Sequence, residues 1–142
     1  MTHAAAAADL SERGRNKIAV LIPCYNEEVA VAKVVKDFRA ALPEATVFVF
    51  DNNSTDNTAA AARAAGAEVF HERRQGKGFV VRRMFSDVEA DIYVVVDGDA
   101  TYDAPSARRM IDRLLTDRLD MVVGNRVDQE VAAYRAGHRT GN

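Results

Sequence analysis

Short apolar runs alternate with amphipathic stretches along this chain of 142 residues. The apolar runs are rich in β-branched residues and predict buried strands, at 17–22, 46–50, 67–70, 91–96 and 120–124. The intervening stretches predict helices, over 28–41, an Ala-rich segment ended by Gly66, 79–89, 103–116 and 127–137. Strands that alternate with helices indicate an α/β fold, with a mostly parallel sheet covered by helices on both faces.

Turn and cap residues set the expected boundaries of these elements. Pro23 should end the first strand, because proline lacks a backbone donor. Asn26 is a candidate cap for the first helix, and Ser54 or Thr55 for the Ala-rich helix. Asp103 should cap the helix that contains Pro105 in its first turn.

Composition limits the classes of protein that the chain can represent. Residues 1–15 are expected to form a flexible Ala-rich tail, and 16–142 one domain. The formal net charge of −2 provides no basic field for nucleic acid. No apolar run approaches the roughly 20 residues that span a bilayer. Cys24 is the single cysteine, which excludes an internal disulfide and favours a reducing, cytoplasmic setting.

Polar segments follow the first, second and fourth predicted strands, at 25–27, 51–54 and 97–99. In open α/β sheets, ligands bind outside the carboxyl ends of the strands, where the strand order reverses. Because three separate polar loops obey this rule, we expect them to form one site.

The most informative of these loops contains Asp97 and Asp99, separated by Gly98. Two carboxylates this close repel each other, and a divalent cation relieves that repulsion. Hard oxygen ligands suit Mg²⁺ or Mn²⁺, which are usually shared with substrate phosphates. The alternative is a solvated turn, since Asp and Gly are common turn residues.

The other two polar loops are suited to a nucleoside but have structural alternatives. Tyr25 and Glu27 offer an aromatic face and a carboxylate for a base and a ribose, or they belong to a helix entry. Asp51 and Asn52 offer hydrogen-bonding groups for a base edge, or they form a tight turn.

Cationic residues could bind phosphate groups in this chain. Lys77 lies in a Gly-containing turn before a helix, where a phosphate could bind, although a plain turn also explains the segment. Arg126 and Arg139 suit an anionic acceptor, or they belong to a solvated basic face.

Together these segments resemble the glycosyltransferase family 2 group with the GT-A fold, and most of all its polyprenyl- and dolichyl-phosphate sugar transferases. The resemblance runs from about Ile18 to the last residue. It is carried by the order and spacing of five motifs, at 22–28, 51–58, 76–78, 97–99 and 124–126.

The resemblance implies a UDP- or GDP-linked sugar donor bound with Mg²⁺ or Mn²⁺. By this resemblance, the nucleoside pocket is lined by Pro23, Tyr25, Glu27, Asp51 and Asn52, and Lys77 lies near the donor. The catalytic and metal-binding carboxylates are Asp97 and Asp99. The residues that contact the acceptor phosphate are Arg126 and Arg139. Two positions depart from the family pattern. Asn52 stands where many relatives have a second aspartate, and Thr101 where a third metal ligand is often glutamine.

The resemblance also suggests a GT-A domain truncated at its C-terminal, acceptor-binding part. We therefore expect an exposed sheet edge that favours self-association or a partner chain. The implied acceptor is a polyprenyl phosphate or another lipid or saccharide, which would put a cytoplasmic protein at the inner face of the membrane. Two alternatives are a nucleotide-sugar-binding module without activity and a haloacid dehalogenase-type phosphatase. In the phosphatase, Asp97 would be the nucleophile and Asp99 the acid/base.

Overall fold

The computed structural model of the chain describes residues 16–124. Its strands are β1 (Ile18–Cys24), β2 (Thr46–Asp51), β3 (Glu68–His71) and β4 (Ile92–Val95). Its helices are α1 (Val31–Ala41), α2 (Thr58–Ala65), α3 (Lys77–Asp87) and α4 (Ala104–Thr116). The predicted tail over 1–15 and the predicted helix over 127–137 lie outside the described residues.

The four strands form one parallel sheet in the order β3-β2-β1-β4. The chain moves outward from β1 to β3 and then returns to add β4 on the other side of β1. The strand order therefore reverses between β1 and β4, and we call the space outside the carboxyl ends of the strands at this point the crevice. This confirms the expected α/β fold.

One face of the sheet packs against α3. Because side chains alternate between the faces of a strand, every second residue of β1 and β2 points toward this helix. The resulting core contains Ala19, Leu21, Phe50, Val80, Met84 and Val88. Phe70 stacks on Phe50 at a centroid distance of 5.2 Å and extends this core toward β3.

The opposite face is also buried. The intervening residues of β1 and β2 are Ile18, Val20, Ile22, Val47 and Val49, and all are buried. Helix α1 buries an apolar stripe of Val31, Val34, Val35 and Phe38, as its 3.6-residue period predicts. The N-terminal part of α4 is joined to the end of α1, since Arg108 donates to the Ala41 carbonyl at 3.2 Å and pairs with Glu44. Helices thus cover both faces.

The chain divides into two compact units, with the boundary in the sequence between Arg109 and Met110. In the described part of the second unit, α4 ends in a turn with Arg118 at a φ of 52°. The Leu119 N–H donates to the Leu114 carbonyl at 2.9 Å, which satisfies one of the last carbonyls of the helix.

The prediction that Pro23 ends the first strand is wrong, because β1 continues to Cys24. Cys24 accepts a hydrogen bond from the Asn52 N–H on the β2 side. The backbone of Pro23, one residue earlier, faces the β4 side, where the ladder ends at the pair of Leu21 and Val95. The donor that proline lacks is therefore not needed at this position.

The predicted caps of the first two helices are also wrong. Helix α1 begins at Val31 and is preceded by Ala30, while Asn26 bonds to another loop. Helix α2 begins at Thr58 after Asn57. Hydrogen bonds between loops engage Asn26 and Ser54 instead, so tertiary contacts overrode the local capping signal.

Residues 120–124 do not form the predicted fifth strand. Met121 and Val123 are 76% and 78% exposed. A sequence rich in β-branched residues forms a strand only where a neighbouring strand supplies hydrogen bonds and packing.

Within the described residues, no helix is long and apolar enough to cross a membrane.

Candidate functional site

Four loops meet at the carboxyl edge of the sheet. We name them the β1 loop (25–30), the β2 loop (52–57), the β3 loop (72–76) and the β4 loop (96–103), after the strands that they follow. The sequence predicted that polar loops would converge at this edge, and the structure confirms it.

Backbone-to-side-chain hydrogen bonds hold the β1 loop against the β2 loop. The Asn26 N–H donates to Ser54 Oγ at 2.9 Å, and Asn26 Oδ1 accepts from the Thr55 N–H at 2.8 Å. The Glu27 N–H donates to the buried Thr58 Oγ1 at 2.8 Å. Asn26 has a φ of 51°, a region that asparagine tolerates better than most residues. This arrangement leaves the Tyr25 side chain 52% exposed at the edge.

Asn52 holds the β2 loop against the β3 loop. Both protons of its buried amide donate to backbone carbonyls, to Glu72 at 2.8 Å and Arg74 at 2.9 Å. Its Oδ1 accepts from the Gly76 N–H at 2.9 Å. A second asparagine, Asn53, donates to the Arg73 carbonyl at 2.8 Å. Asn52 therefore fixes the backbone around the predicted base site.

Asp51 is the last residue of β2, and its side chain is buried beside the β2 loop. Oδ1 accepts from the Ser54 N–H at 3.3 Å, and Oδ2 lies 3.3 Å from His71 Nδ1. The His71 side chain is 53% exposed, and its ring touches the predicted base-binding carboxylate.

Lys77 connects α3 with the β4 loop. It is the first residue of α3, after Gly76 at a φ of 133°. Its Nζ lies 3.0 Å from Asp97 Oδ1, and the Tyr102 hydroxyl donates to Asp97 Oδ2 at 3.4 Å. Lys77 and Asp97, predicted separately from two loops, therefore form an ion pair.

Asp99 projects from the exposed end of the same loop. Its Oδ1 accepts from the Thr101 hydroxyl at 2.7 Å and from the Thr101 N–H at 3.2 Å. Thr101, at the position where glutamine is common in the family resembled, thus orients the carboxylate of Asp99.

Gly98 allows the β1 and β4 loops to approach closely. A Cβ at this position would lie 2.5 Å from Cys24 Sγ and 3.5 Å from the Pro23 carbonyl oxygen. Burial, followed by the charges of Glu27, Asp51, Asp97 and Asp56, raises the pKa of the Cys24 thiol to about 12. A thiol with this pKa is not a nucleophile at neutral pH, and Cys24 is a small buried residue of the strand end.

The crevice between the β1 and β4 loops is acidic. Desolvation, followed by the charges of Asp99, Asp56 and Asp97, raises the pKa of Glu27. Such repulsion is relieved by a bound cation.

The donor set fits a metal ion that a substrate shares. Asp97 and Asp99 offer hard carboxylate oxygens of the kind Mg²⁺ and Mn²⁺ prefer. Among residues 16–124, no group of three or more His, Cys, Asp or Glu side chains could hold an ion. Oxygens of a bound diphosphate would have to complete the coordination.

Comparison with known proteins identifies the family. The family model described as "Glycosyl transferase family 2" matches residues 19–141. The chain belongs to glycosyl transferase family 2. This membership argues against a haloacid dehalogenase-type phosphatase.

Relatives within glycosyl transferase family 2 differ in length. The protein RfbJ of Shigella flexneri is 59% identical over 123 residues, which cover 86% of this chain and 95% of RfbJ. The glycosyltransferase AglJ of Haloferax volcanii is 39% identical over 127 residues, which cover 88% of this chain but 41% of AglJ.

Solved structures support the GT-A fold of this family 2 chain. Glucosyl-3-phosphoglycerate synthase from Mycobacterium tuberculosis, in complex with Mn²⁺, UDP and phosphoglyceric acid, matches with a TM-score of 0.68 and 26% identity. The match covers 78% of this chain and 43% of that enzyme. The chain therefore spans less than half the length of this structural relative.

Besides His71, three residues that contact the site were missed from the sequence. Thr58 supports Glu27, Tyr102 contacts Asp97, and Glu72 is a buried carboxylate that accepts from Arg74 Nε at 3.0 Å. Only Tyr102 carried a usable signal, since it lies five residues beyond Asp97. The predicted acceptor residues Arg126 and Arg139 lie outside the described residues.

Proposed function

We propose that this chain binds the nucleoside diphosphate of a sugar donor in the crevice between β1 and β4 and transfers the sugar to an acceptor. The observation that carries the proposal is the convergence of Glu27, Asp51, Lys77, Asp97 and Asp99 on the carboxyl edge of the sheet. A base site and a diphosphate site would then lie at opposite ends of one crevice.

The buried carboxylate of Asp51 suits the base end, because it can accept hydrogen bonds from base N–H groups. Asn52 contributes by fixing the β2 and β3 loops around it. Tyr25 and Glu27 would contact the nucleoside from the β1 loop, where Pro23 sets the direction of the chain. We propose a UDP- or GDP-linked donor, and UDP is supported by its presence in the related synthase.

The carboxylates of Asp97 and Asp99 suit the diphosphate end. They would hold Mg²⁺ or Mn²⁺ together with diphosphate oxygens, and the synthase structure contains Mn²⁺. When bound, the ion supplies positive charge that stabilises the departing diphosphate. Tyr102 and Thr101 would keep the two carboxylates oriented for this contact.

Lys77 supplies a cation of the chain itself. Its ammonium group lies 3.0 Å from Asp97 and its side chain is 69% exposed, so it can reach a neighbouring phosphate without losing a buried contact. A positioned cation beside the leaving group stabilises the charge that develops during transfer. We therefore propose that Lys77 contacts the diphosphate.

A lipid-linked phosphate is the proposed acceptor, with another lipid or a saccharide as the alternative. Support comes from a relative named dolichyl-phosphate hexose transferase in Haloferax volcanii, 29% identical over 133 residues that cover 94% of this chain and 58% of the relative. A phosphate acceptor needs no strong base, since it is already ionised. Arg126 and Arg139 are the proposed contacts, at the inner face of the membrane.

Calorimetric titration of the chain with UDP, GDP and CDP, with Mn²⁺ and with EDTA, tests donor binding. We expect Mn²⁺-dependent binding of UDP or GDP. Incubation with the matching nucleotide sugar and a polyprenyl phosphate then tests transfer. Binding with transfer supports the whole proposal, binding without transfer supports a donor-binding module, and absence of binding contradicts both.

A further inference from the structure

The ring of His71 lies between a carboxylate and a guanidinium group. His71 is the last residue of β3, and its Nδ1 lies 3.3 Å from Oδ2 of Asp51. Its Nε2 lies 3.2 Å from a guanidinium nitrogen of Arg63, in the last turn of α2. The two ring nitrogens therefore face groups of opposite charge.

These two neighbours determine where the ring carries its proton. A guanidinium group only donates hydrogen bonds, so Nε2 must present a lone pair to Arg63. A second lone pair at Nδ1 would repel the Asp51 carboxylate, so Nδ1 must carry the hydrogen. The histidine tautomer is set by the partners of the two nitrogens, and here both partners select the neutral form protonated at Nδ1.

We propose that His71, held in this tautomer by Arg63, orients the Asp51 carboxylate toward the nucleobase and so acts as a positioning residue for base selection. This inference rests on the proposed function. The Ser54 N–H contacts Oδ1 at 3.3 Å, while His71 faces Oδ2. Contacts at both oxygens, a hydrogen bond at Oδ1 and a close charged contact at Oδ2, restrict the orientation of the carboxylate.

The proposal predicts which bases the site accepts. Uracil and guanine carry a ring N–H donor on their pairing edge, which an oriented carboxylate can accept. The corresponding ring nitrogen of cytosine is an acceptor and would face the carboxylate with a lone pair. The affinity for UDP or GDP relative to CDP therefore reports on the orientation of Asp51.

Nuclear magnetic resonance of the full chain without nucleotide tests the tautomer directly. Long-range ¹H–¹⁵N spectra distinguish the two neutral forms, and the His71→Asn variant identifies the signal among the three histidines. We expect a protonated Nδ1 and an unprotonated Nε2. Replacement of Arg63 by methionine should allow the Nε2-protonated form to appear. An Nε2-protonated ring in the wild-type chain overturns the inference.

Two substitutions of His71 test base selection. His71→Leu removes the donor, whereas His71→Asn keeps an N–H at the position of Nδ1. We expect His71→Leu to reduce the preference for UDP or GDP over CDP about tenfold, the order of magnitude of one polar contact to a charged group. His71→Asn should keep most of the preference.

The outcomes separate this inference from the proposed function. A preference that is unchanged in His71→Leu, or equally reduced in both variants, overturns the role of His71 while nucleotide binding stands. If the wild-type chain binds no nucleotide, the proposed function fails and base selection by His71 fails with it. A ring protonated at Nδ1 would in that case show only that His71 contacts Asp51.

Discussion

The two ends of the crevice are stabilised in different ways. At the base end, Asn52 joins the β2 and β3 loops through buried or half-buried hydrogen bonds, and Asn26 joins the β1 and β2 loops through exposed ones. At the diphosphate end, Asp97 and Asp99 bond mainly to exposed side chains or to residues of their own loop. The base end is thus preorganised by the protein, whereas the diphosphate end concentrates like charges that a ligand must neutralise.

Substitution of Asn52 by alanine should give the largest effect, on stability. The change removes three hydrogen bonds and leaves the Glu72 and Arg74 carbonyls and the Gly76 N–H without their partner. We expect the free energy of unfolding to fall by about 3 kcal/mol, measured by urea denaturation.

Asn57→Ala is the matched control for Asn52→Ala. Asn57 lies in the same loop, is exposed and makes no side-chain cap bond. The free energy of unfolding should change by less than about 0.5 kcal/mol. Equal effects of the two substitutions would contradict the bracing role of Asn52 and remove the contrast between the two ends.

Substitution of Asp99 by asparagine should affect binding but not folding. The amide keeps an oxygen for Thr101 but loses the charge that attracts a metal ion. We expect the affinity for UDP or GDP in the presence of Mn²⁺ to fall about 100-fold, with an unchanged urea midpoint. Calorimetry with Mn²⁺ and with EDTA measures the nucleotide affinity and its dependence on the metal ion. Urea denaturation measures the midpoint.

Asp37→Asn is the control for Asp99→Asn, because Asp37 pairs with Lys33 on α1 and lies outside the four loops. Nucleotide affinity should not change in this variant. An Asp99→Asn chain that still responds to Mn²⁺ as the wild type does would place the metal ion elsewhere.

Substitution of Gly98 by alanine tests the contact between the β1 and β4 loops. The added methyl group would lie 2.5 Å from Cys24 Sγ, inside van der Waals contact. We expect a loss of about 2 kcal/mol in the free energy of unfolding, partly restored by the second substitution Cys24→Ala.

Gly78→Ala is the matched control for Gly98→Ala, since a Cβ at that helical position meets no atom within 4 Å. It should leave stability unchanged or raise it slightly, because alanine favours helix. If Cys24→Ala does not restore stability to Gly98→Ala, the loops do not meet through the thiol.

The sequence predicted the parallel sheet and the position of the site because both depend on patterns that are local. The β-branched runs defined the strands, and the topology rule placed Asp51, Asp97 and Asp99 at one edge. The pairing of Lys77 with Asp97 and of His71 with Asp51 could not be predicted. These contacts join residues 20 apart in sequence and depend on the register between strands and on loop geometry.

Local capping signals failed where tertiary contacts offered stronger partners. Asn26 and Ser54 look like helix caps in sequence but bond to each other's loops. The strand predicted over 120–124 failed for a related reason, because strand formation requires a neighbour that the apolar pattern cannot specify. Sequence patterns thus predicted the helices and strands better than they predicted which residues and strands contact one another.

The smallest expected effect compares two glutamates as the pH changes, Glu27 among the acidic side chains of the β1 and β4 loops and Glu72 among the arginines around the β3 loop. Glu27 has a raised pKa, chiefly through desolvation, whereas a hydrogen bond from Arg74 lowers the pKa of Glu72. A raised folded-state pKa means that stability is lost as the pH rises from 4.5 through the folded value. A lowered pKa means that stability is present above 4.5 and lost as the pH falls through the folded value.

The variants Glu27→Gln and Glu72→Gln should therefore shift the melting temperature in opposite directions at pH 7. Glu27→Gln should raise it, because the variant removes a charge that Asp99, Asp56 and Asp97 repel. Glu72→Gln should lower it, because Arg74 and Arg83 lose a charged partner. Both differences should shrink as the pH is lowered, for Glu27 by pH 4.5 and for Glu72 only as the pH falls through its lowered folded-state pKa. Shifts of the same sign at pH 7 would mean that the acidic side chains around Glu27 do not strain the folded chain electrostatically.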